Sequence, residues 1–413
     1  MLRCGLLGET LGHSYSPMIH HELGEYDYRL FEVSKEDLDA FLCSGRWDGL
    51  NVTIPYKKAV VPYCAELSEA AERLQSVNTL VHRPDGTLYG DNTDLFGFLY
   101  MVRSSGIDPA GKKALVLGSG GASVTVKAAL EQLGADVTVI SRSGPDDYDH
   151  LDRHADAQII ANTTPVGMYP HNGAAAVDLR RFSRCEGVLD IVYNPARTAL
   201  LLQAEELGIP HAGGLSMLVA QAKRSSEQFT GTAIGDEALA RVERAVNQRL
   251  RNIILIGMPG SGKSTCGVVA AKLLLKNFFD TDLLIQNREG QRLQQIIDEK
   301  GLDYFARAEE EAVLSLDIAG TVIATGGSVV YSPAAMDHLR RMGKVIYLHL
   351  EYETMCRRIQ NLDSRGVVLQ AGYTLQDMYK ERLPLYRRYA DAVIKCDNNT
   401  VEQTAQQIAR CAR

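Results

Sequence analysis

Residues 257–265 read Gly-Met-Pro-Gly-Ser-Gly-Lys-Ser-Thr and follow directly on the apolar run Ile253–Ile256. This is the phosphate-loop pattern G-x-x-x-x-G-K-[ST], with a strand-like run before it and the helix-forming stretch Val268–Leu274 after it. Strand, loop and helix in that order open an α/β domain with a parallel sheet, which leaves few alternatives for the C-terminal part of the chain. Backbone N–H groups around Gly260, Ser261, Gly262 and Thr265 can close on phosphate oxygens. Lys263 can reach the terminal phosphates, and the Ser264 hydroxyl can ligate Mg²⁺. A glycine-rich turn with a chance lysine is the alternative, and the flanking strand and helix speak against it.

The 413 residues suggest about three domains. A net charge of −7 argues against nucleic acid as a partner, because that needs a basic face. The eight cysteines are scattered without a C-x-x-C pair, which suits reduced thiols in a cytoplasmic protein rather than a disulfide frame or a zinc site. The chain opens on a strand-like Leu2–Gly8, so no signal peptide is expected. No apolar run approaches the ~18 residues of a membrane span. Small-molecule substrates are the expected partners, and nothing in the sequence bears on oligomeric state.

The first ~100 residues alternate short apolar strands with helical stretches: a strand at Tyr28–Val33, a helix at Leu38–Leu42, a strand at Gly49–Pro55. That alternation predicts an α/β domain with a mostly parallel sheet. A new unit opens at Gly111. Ala114–Leu117 reads as a buried strand, Gly118-Ser119-Gly120-Gly121-Ala122 as a turn, Val126–Leu133 as a helix and Asp136–Ile140 as the next strand. This is the βαβ half of a Rossmann fold, whose glycine turn approaches a dinucleotide pyrophosphate. A lone G-x-G is weak, and Ser123 takes the third glycine position; a tight turn without a ligand is the alternative reading. At the end of the second strand stand Ser141-Arg142-Ser143, where an acidic residue would select NAD. An arginine between two hydroxyls suits the 2′-phosphate of NADP. Otherwise Arg142 is a solvated surface charge.

Further motifs run in order along residues 1–248: His13-Ser14-Tyr15-Ser16-Pro17, Asn51-Val52-Thr53-Ile54-Pro55-Tyr56-Lys57, Val77-Asn78-Thr79, Asn92-Thr93-Asp94, Asn162–Met168, Asp190–Pro195 and Gly214–Gln221. With these motifs the stretch resembles shikimate dehydrogenase. The resemblance implies that Ser14 and Ser16 hold a substrate carboxylate and that Lys57 is catalytic and paired with Asp94. It implies that Thr53, Asn78, Tyr193 and Gln221 contact substrate, and that Thr163, Met168 and Gly214 lie on the cofactor side. Leu95 and Val124 depart from the pattern, the latter where a basic residue often follows the glycine turn.

The chemistry is coherent on its own terms. Reducing a ketone needs a hydride donor and a proton donor within reach of the carbonyl oxygen. Lys57 can stabilise a developing alkoxide, and Asp94 can orient the ammonium. Hydroxyls and amides suit a polyhydroxylated ring acid.

Residues 251–413 resemble shikimate kinase, a small P-loop enzyme that uses ATP and Mg²⁺. Besides the loop, Asp280-Thr281-Asp282 matches a D-[ST]-D motif, implying that Asp280 assists Mg²⁺ and that Asp282 bonds the acceptor hydroxyls. Gly326 and Gly327 match a glycine motif at the acceptor. Arg382 lies in Glu381-Arg382-Leu383-Pro384-Leu385-Tyr386, whose Arg binds a carboxylate, and Arg365 falls where a lid arginine reaches the transferring phosphoryl. Three departures cluster on the acceptor side. F-R-x-x-E becomes Phe305-Ala306-Arg307-Ala308-Glu309, a third glycine becomes Ser328, and R-P-L-L becomes Arg365-Gly366-Val367-Val368.

The resulting expectation is an α/β chain of three parts. Residues 1–98 form a shikimate-dehydrogenase-like substrate domain to which 213–248 return. Residues 99–212 form a Rossmann NADP domain, and 251–413 a nucleoside-monophosphate-kinase-like P-loop domain with a parallel sheet. The expected function is reduction of 3-dehydroshikimate to shikimate followed by phosphorylation of shikimate. The departures leave open a different small hydroxylated acceptor for the kinase.

Overall fold

A computed structural model describes residues 1–11, 14–168, 173–360 and 373–412. Two compact units emerge. The first is built from Met1–Met168, Ala174–Asn194 and Thr198–Val246, and the bulk of the second begins at Asn247.

The first unit holds two sheets. One contains β1 (Arg3–Gly8), β2 (Asp27–Glu32), β3 (Gly49–Val52), β4 (Glu66–Leu67), β5 (Thr79–His82) and β6 (Leu88–Asp91) in the order β2-β1-β3-β5-β6-β4. β1 pairs in parallel with β2 and β3, and β4 in parallel with β6. β5, however, runs antiparallel to both β3 and β6. This sheet is mostly parallel, as the alternation predicts, with β5 alone of its six strands reversed. The reason is local: Pro84-Asp85-Gly86 closes a short turn in which Arg83 N–H donates to Thr87 O at 2.8 Å, and so short a connection permits only an antiparallel pair. The strand expected over Gly49–Pro55 stops at Val52, and residues 53–60 turn instead, around a cis Ile54–Pro55 bond. Pro55 has no N–H to give a ladder.

The second sheet contains β7 (Lys113–Leu117), β8 (Asp136–Ile140), β9 (Ile159–Asn162), β10 (Gly187–Asp190) and β11 (His211–Gly213), all parallel, in the order β11-β10-β9-β7-β8. Ala114, Leu115, Val116 and Leu117 are fully buried, as a strand covered on both faces must be. The chain order reverses at β7, so the C-terminal end of β7 is the switch point where such sheets take ligands. The helices Thr93–Ser105 and Leu215–Thr230 pack on each other, and Phe98, Met101 and Met217 join the core against β7 and β9. After a short connector the chain is helical again over Glu237–Leu250.

The second unit has one parallel sheet of β12 (Asn252–Ile256), β13 (Asn277–Asp280), β14 (Thr321–Ala324), β15 (Gly343–His349) and β16 (Ala392–Lys395), ordered β13-β14-β12-β15-β16. Ile253–Ile256 are fully buried at its centre. Among the described residues no helix is long and apolar enough to cross a membrane.

Candidate active sites

In the first unit a cavity of about 230 Å³ opens where the mixed sheet, the glycine turn after β7 and the helix Leu215–Thr230 converge. Ser14, Ser16, Thr53, Lys57, Asn78, Asp94, Ala122, Tyr193, Gly214 and Gln221 all line it. Lys57 sits in the turn after β3, and its carbonyl accepts from Val77 N–H at 2.8 Å. Asp94 occupies the first turn of the helix Thr93–Ser105. Lys57 Nζ donates to Asp94 Oδ2 at 2.6 Å, and both side chains keep partial exposure, 28% and 17%. The ammonium is thus oriented, yet open to a ligand.

Behind the pair lies a buried polar network. Asn78 Oδ1 accepts from Thr93 N–H at 2.7 Å and from the Thr93 and Thr79 hydroxyls, each at 3.1 Å. With its oxygen satisfied, Asn78 has its amide N–H groups to offer the cavity. Asn51 accepts from Tyr28 Oη at 2.8 Å and donates to Ser225 Oγ at 2.8 Å. Ser225 also meets the hydroxyls of Thr79 and Thr93, at 2.9 and 3.1 Å. Gln221 Nε2 donates to Leu218 O at 3.0 Å, and its Oε1 accepts from Thr93 at 3.4 Å. Asn51 and Ser225 were not among the expected site residues. A signal was present for Ser225: it follows Gln221 by four residues, so the two share a helix face. Also lining the cavity, Ser14 Oγ accepts from Ser16 N–H at 3.2 Å, and Tyr193 packs on Tyr15 with ring centres 5.4 Å apart.

The side of the cavity at the glycine turn is built from backbone. Gly118 takes φ +101°, and a Cβ there would lie 2.8 Å from Thr164 Cγ2, so only glycine makes this turn. Gly120 and Gly121 face open space, and the helix Gly121–Gln132 has no side-chain cap. The Ser123 N–H donates to Gly120 O at 3.0 Å, while those of Gly121 and Ala122 have no partner among the described residues and can meet an anion. Thr163 Oγ1 donates to Leu117 O at 2.7 Å, which fastens the loop after β9 to the end of β7. Gly214 packs directly on Ile191 O and Met168 is exposed. Ser141 is buried, its N–H donating to Asp146 O at 3.0 Å. The neighbouring Arg142 is exposed and makes no ion pair among the described residues. Asp190 at the end of β10 receives Thr198 Oγ1 at 2.7 Å, Asn162 Nδ2 at 2.9 Å and Val192 N–H at 3.1 Å. Burial nevertheless pushes its carboxyl up to about 6.

In the second unit the phosphate loop joins β12 to the helix Lys263–Leu274, which also lacks a side-chain cap. Gly260 and Gly262 take φ +77° and +88°, the left-handed geometry the loop requires. Ser261 is buried, its Oγ has no hydrogen-bond partner among the described residues, and Thr265 is exposed. Lys263 Nζ folds onto Gly257 O and Met258 O at 2.8 and 3.1 Å. Burial lowers its pKa to about 8, against the pull of Asp282 and Asp280. Ser264 Oγ donates to Asp280 Oδ2 at 2.6 Å, so hydroxyl and carboxylate already face each other as a divalent-cation site needs. Asp280 Oδ1 caps the next helix through Asp282 N–H at 3.0 Å.

Beside the loop a cavity of about 420 Å³ is lined by Ala306, Arg307, Glu309, Ser328, Tyr331 and Arg382, among others. Arg382 is 2% exposed, donates from Nε to Tyr331 Oη at 3.2 Å and lies over that ring at 5.1 Å. Gly326 and Gly327 have no room for a side chain. A Cβ on Gly326 would meet Glu309 Oε1 at 2.0 Å and Asp282 Oδ1 at 2.9 Å; one on Gly327 would meet Arg382 Nη1 at 3.1 Å. The glycine motif therefore admits two carboxylates and a guanidinium to one place. Arg365 and Gly366 lie outside the described residues.

Comparison with known proteins agrees with this division. Residues 6–80 match the shikimate dehydrogenase substrate binding domain, and residues 259–413 match shikimate kinase. The NADP(+) shikimate dehydrogenase of Oleidesulfovibrio alaskensis is 41% identical, over 54% of this chain and 87% of that one. Among solved structures, a chorismate mutase/shikimate 5-dehydrogenase fusion protein from Clostridium acetobutylicum superposes with a TM-score of 0.57 at 34% identity, over 59% of this chain and 97% of that one. Shikimate 5-dehydrogenase from Thermus thermophilus, solved with NADP(H) and shikimate, gives 0.54 at 30% identity, over 60% and 100%. The chain belongs to the shikimate dehydrogenase family and carries a shikimate kinase domain after it, which makes it a bifunctional enzyme of the shikimate pathway.

Proposed function

We propose that the first unit reduces 3-dehydroshikimate to shikimate with NADPH and that the second phosphorylates shikimate to shikimate 3-phosphate with Mg²⁺ and ATP. The observation that carries the reading is the Lys57–Asp94 contact of 2.6 Å inside a cavity shared with Ser14, Ser16, Asn78 and Gln221. The cofactors fit the residues present. Open backbone at Gly120 and Gly121 with an exposed Arg142 suits a dinucleotide carrying a 2′-phosphate. An uncapped helix at Lys263 and the Ser264–Asp280 contact suit a magnesium-bound triphosphate. Bound there, NADPH would supply the hydride and Mg-ATP the phosphoryl group.

In the reductase, Lys57 stands where it can give a proton to the ketone oxygen as that oxygen gains charge. Asp94 holds the ammonium in line. Ser14 and Ser16 bind the ring carboxylate, and the Asn78 and Gln221 amides bind ring hydroxyls. In the kinase, Asp282 aligns and accepts the proton of the attacking hydroxyl, Lys263 neutralises the terminal phosphates, and Arg382 binds the carboxylate. In this reading residues 1–98 with 213–248 serve as substrate domain and 99–212 as NADP domain. The eight free cysteines suit a cytoplasmic setting.

A second reading gives the kinase another small hydroxylated acceptor. It is favoured by Ala306, which lines the acceptor cavity without offering a charge. A coupled assay separates the two. With 3-dehydroshikimate, NADPH and Mg-ATP, product mass should match shikimate 3-phosphate; accumulation of shikimate alone would support the second reading.

A further inference from the structure

Two positions in the acceptor cavity depart from the kinase pattern, Ala306 and Ser328, and a third residue connects them. Ala306 and Glu309 stand three apart on the helix Leu302–Leu314, the spacing at which helical side chains meet. An arginine at position 306 would have Glu309 within reach as an ion-pair partner, and alanine offers it nothing. Glu309 is nonetheless only 3% exposed. Its Oε2 accepts a hydrogen bond from Ser328 Oγ at 2.6 Å, and its Oε1 has no hydrogen-bond partner among the described residues. Were position 328 glycine, neither oxygen would have one, and a buried carboxylate without partners is strongly disfavoured.

We propose that Ser328 is a positioning residue of the kinase acceptor site. It takes over from the absent arginine at position 306 as the partner of Glu309, and holds that carboxylate beside Gly326 and Asp282, where acceptor hydroxyls bind. The proposal rests on the shikimate kinase reading given above. It links two departures that look independent in the sequence: loss of a guanidinium on one helix is matched by gain of a hydroxyl on the facing loop. The groups around Glu309 fit this role. Burial is the strongest influence and pushes its carboxyl up, to about 7; Asp282 pushes the same way. The Ser328 hydroxyl, Arg382 and Lys263 pull it down. The hydroxyl therefore helps keep Glu309 ionised near neutrality.

The test uses the full chain with Mg-ATP and shikimate. Ser328→Ala deletes one oxygen. It should raise KM for shikimate roughly tenfold while leaving KM for ATP within about twofold, since the lost bond is to a charged group at the acceptor. It should also move the acidic limb of the kinase pH profile upward, because a carboxylate deprived of a donor protonates more readily. Ser328→Thr keeps the hydroxyl and should restore both. Ala306→Arg should change KM little beside Ser328 but reverse most of the defect when combined with Ser328→Ala, so the two substitutions should be non-additive. Unchanged KM and pH profile in Ser328→Ala, or additive effects, overturns the pairing. Should Ser328→Ala fail to fold, the double variant must fold better, and equal failure of both overturns it as well. If the unmodified chain reduces 3-dehydroshikimate but leaves shikimate unphosphorylated, the kinase reading itself fails and takes this one with it. Shikimate turnover with additive effects sinks the pairing alone.

Discussion

Lys57 and Asp94 lie 37 residues apart in the chain, and their side chains meet at 2.6 Å on the wall of a cavity. One comes from a turn after a strand, the other from the first turn of a helix. The contact gives the ammonium a fixed direction without closing it off.

Lys57→Ala should therefore lower reductase turnover far more than it weakens substrate binding, because a proton donor acts mainly in the transition state. The expected loss is about 10²–10⁴-fold in kcat. A loss under about tenfold would reject the role. Kinase turnover on added shikimate should not change.

Arg142→Ala should weaken NADPH binding selectively. Each lost charge-assisted bond is worth about 1.5–3 kcal/mol. NADH lacks the 2′-phosphate, so its binding should stay nearly constant. Equal losses for the two cofactors, measured by titration, would show that Arg142 reads no phosphate.

Lys263 offers a proton-linked test. Its pKa is lowered to about 8 by burial. Nucleotide phosphates brought beside it must raise that pKa, so ATP binding should take up protons at about pH 8.5 and fewer at about pH 6.5. Calorimetry in buffers of different ionisation heat reads this directly. Lys263→Met should abolish the uptake, and its absence in the unmodified chain would contradict the burial argument.

Thr198→Val removes one donor from the buried carboxylate of Asp190. The expected destabilisation is about 1–3 kcal/mol. Its pH dependence has a definite sign. Asp190 is raised to about 6 in the folded chain from 3.8, so its contribution is present at low pH and lost as pH rises through the folded value. Losing a donor raises the folded value further. Denaturant unfolding should show a larger penalty at about pH 8 than at about pH 5. A penalty independent of pH would mean that Thr198 acts through packing alone.

Much of both sites could be read without coordinates because their motifs are local. The turn Gly118–Gly121 and the loop 257–265 need φ values and open backbone that only glycine supplies, at spacings set by a strand ending and a helix beginning. Such geometry is written in consecutive residues. So are the departures at Ala306 and Ser328. The pairing of strands was less legible. β5 reverses direction because of a short turn at Pro84–Gly86, and alternation of strand and helix carries no sign of a reversal.

Tertiary structure alone decided which distant polar groups share a partner. Asn51, which lines the cavity of the first unit, and Ser225, 174 residues further on, hydrogen-bond at 2.8 Å. Glu309 and Ser328 meet across a helix and a loop, which turns two separate departures into one arrangement. No spacing rule reaches across such separations. A buried hydroxyl or carboxylate must find a partner wherever packing brings one, and which partner that is depends on how whole elements stack. The amino-acid sequence by itself determined the chemistry available to this protein: a lysine and a carboxylate, two glycine turns that each open a helix, and alanine and serine at positions 306 and 328. The fold determined how those groups are held, because burial makes each unpaired polar atom costly enough to select its neighbour.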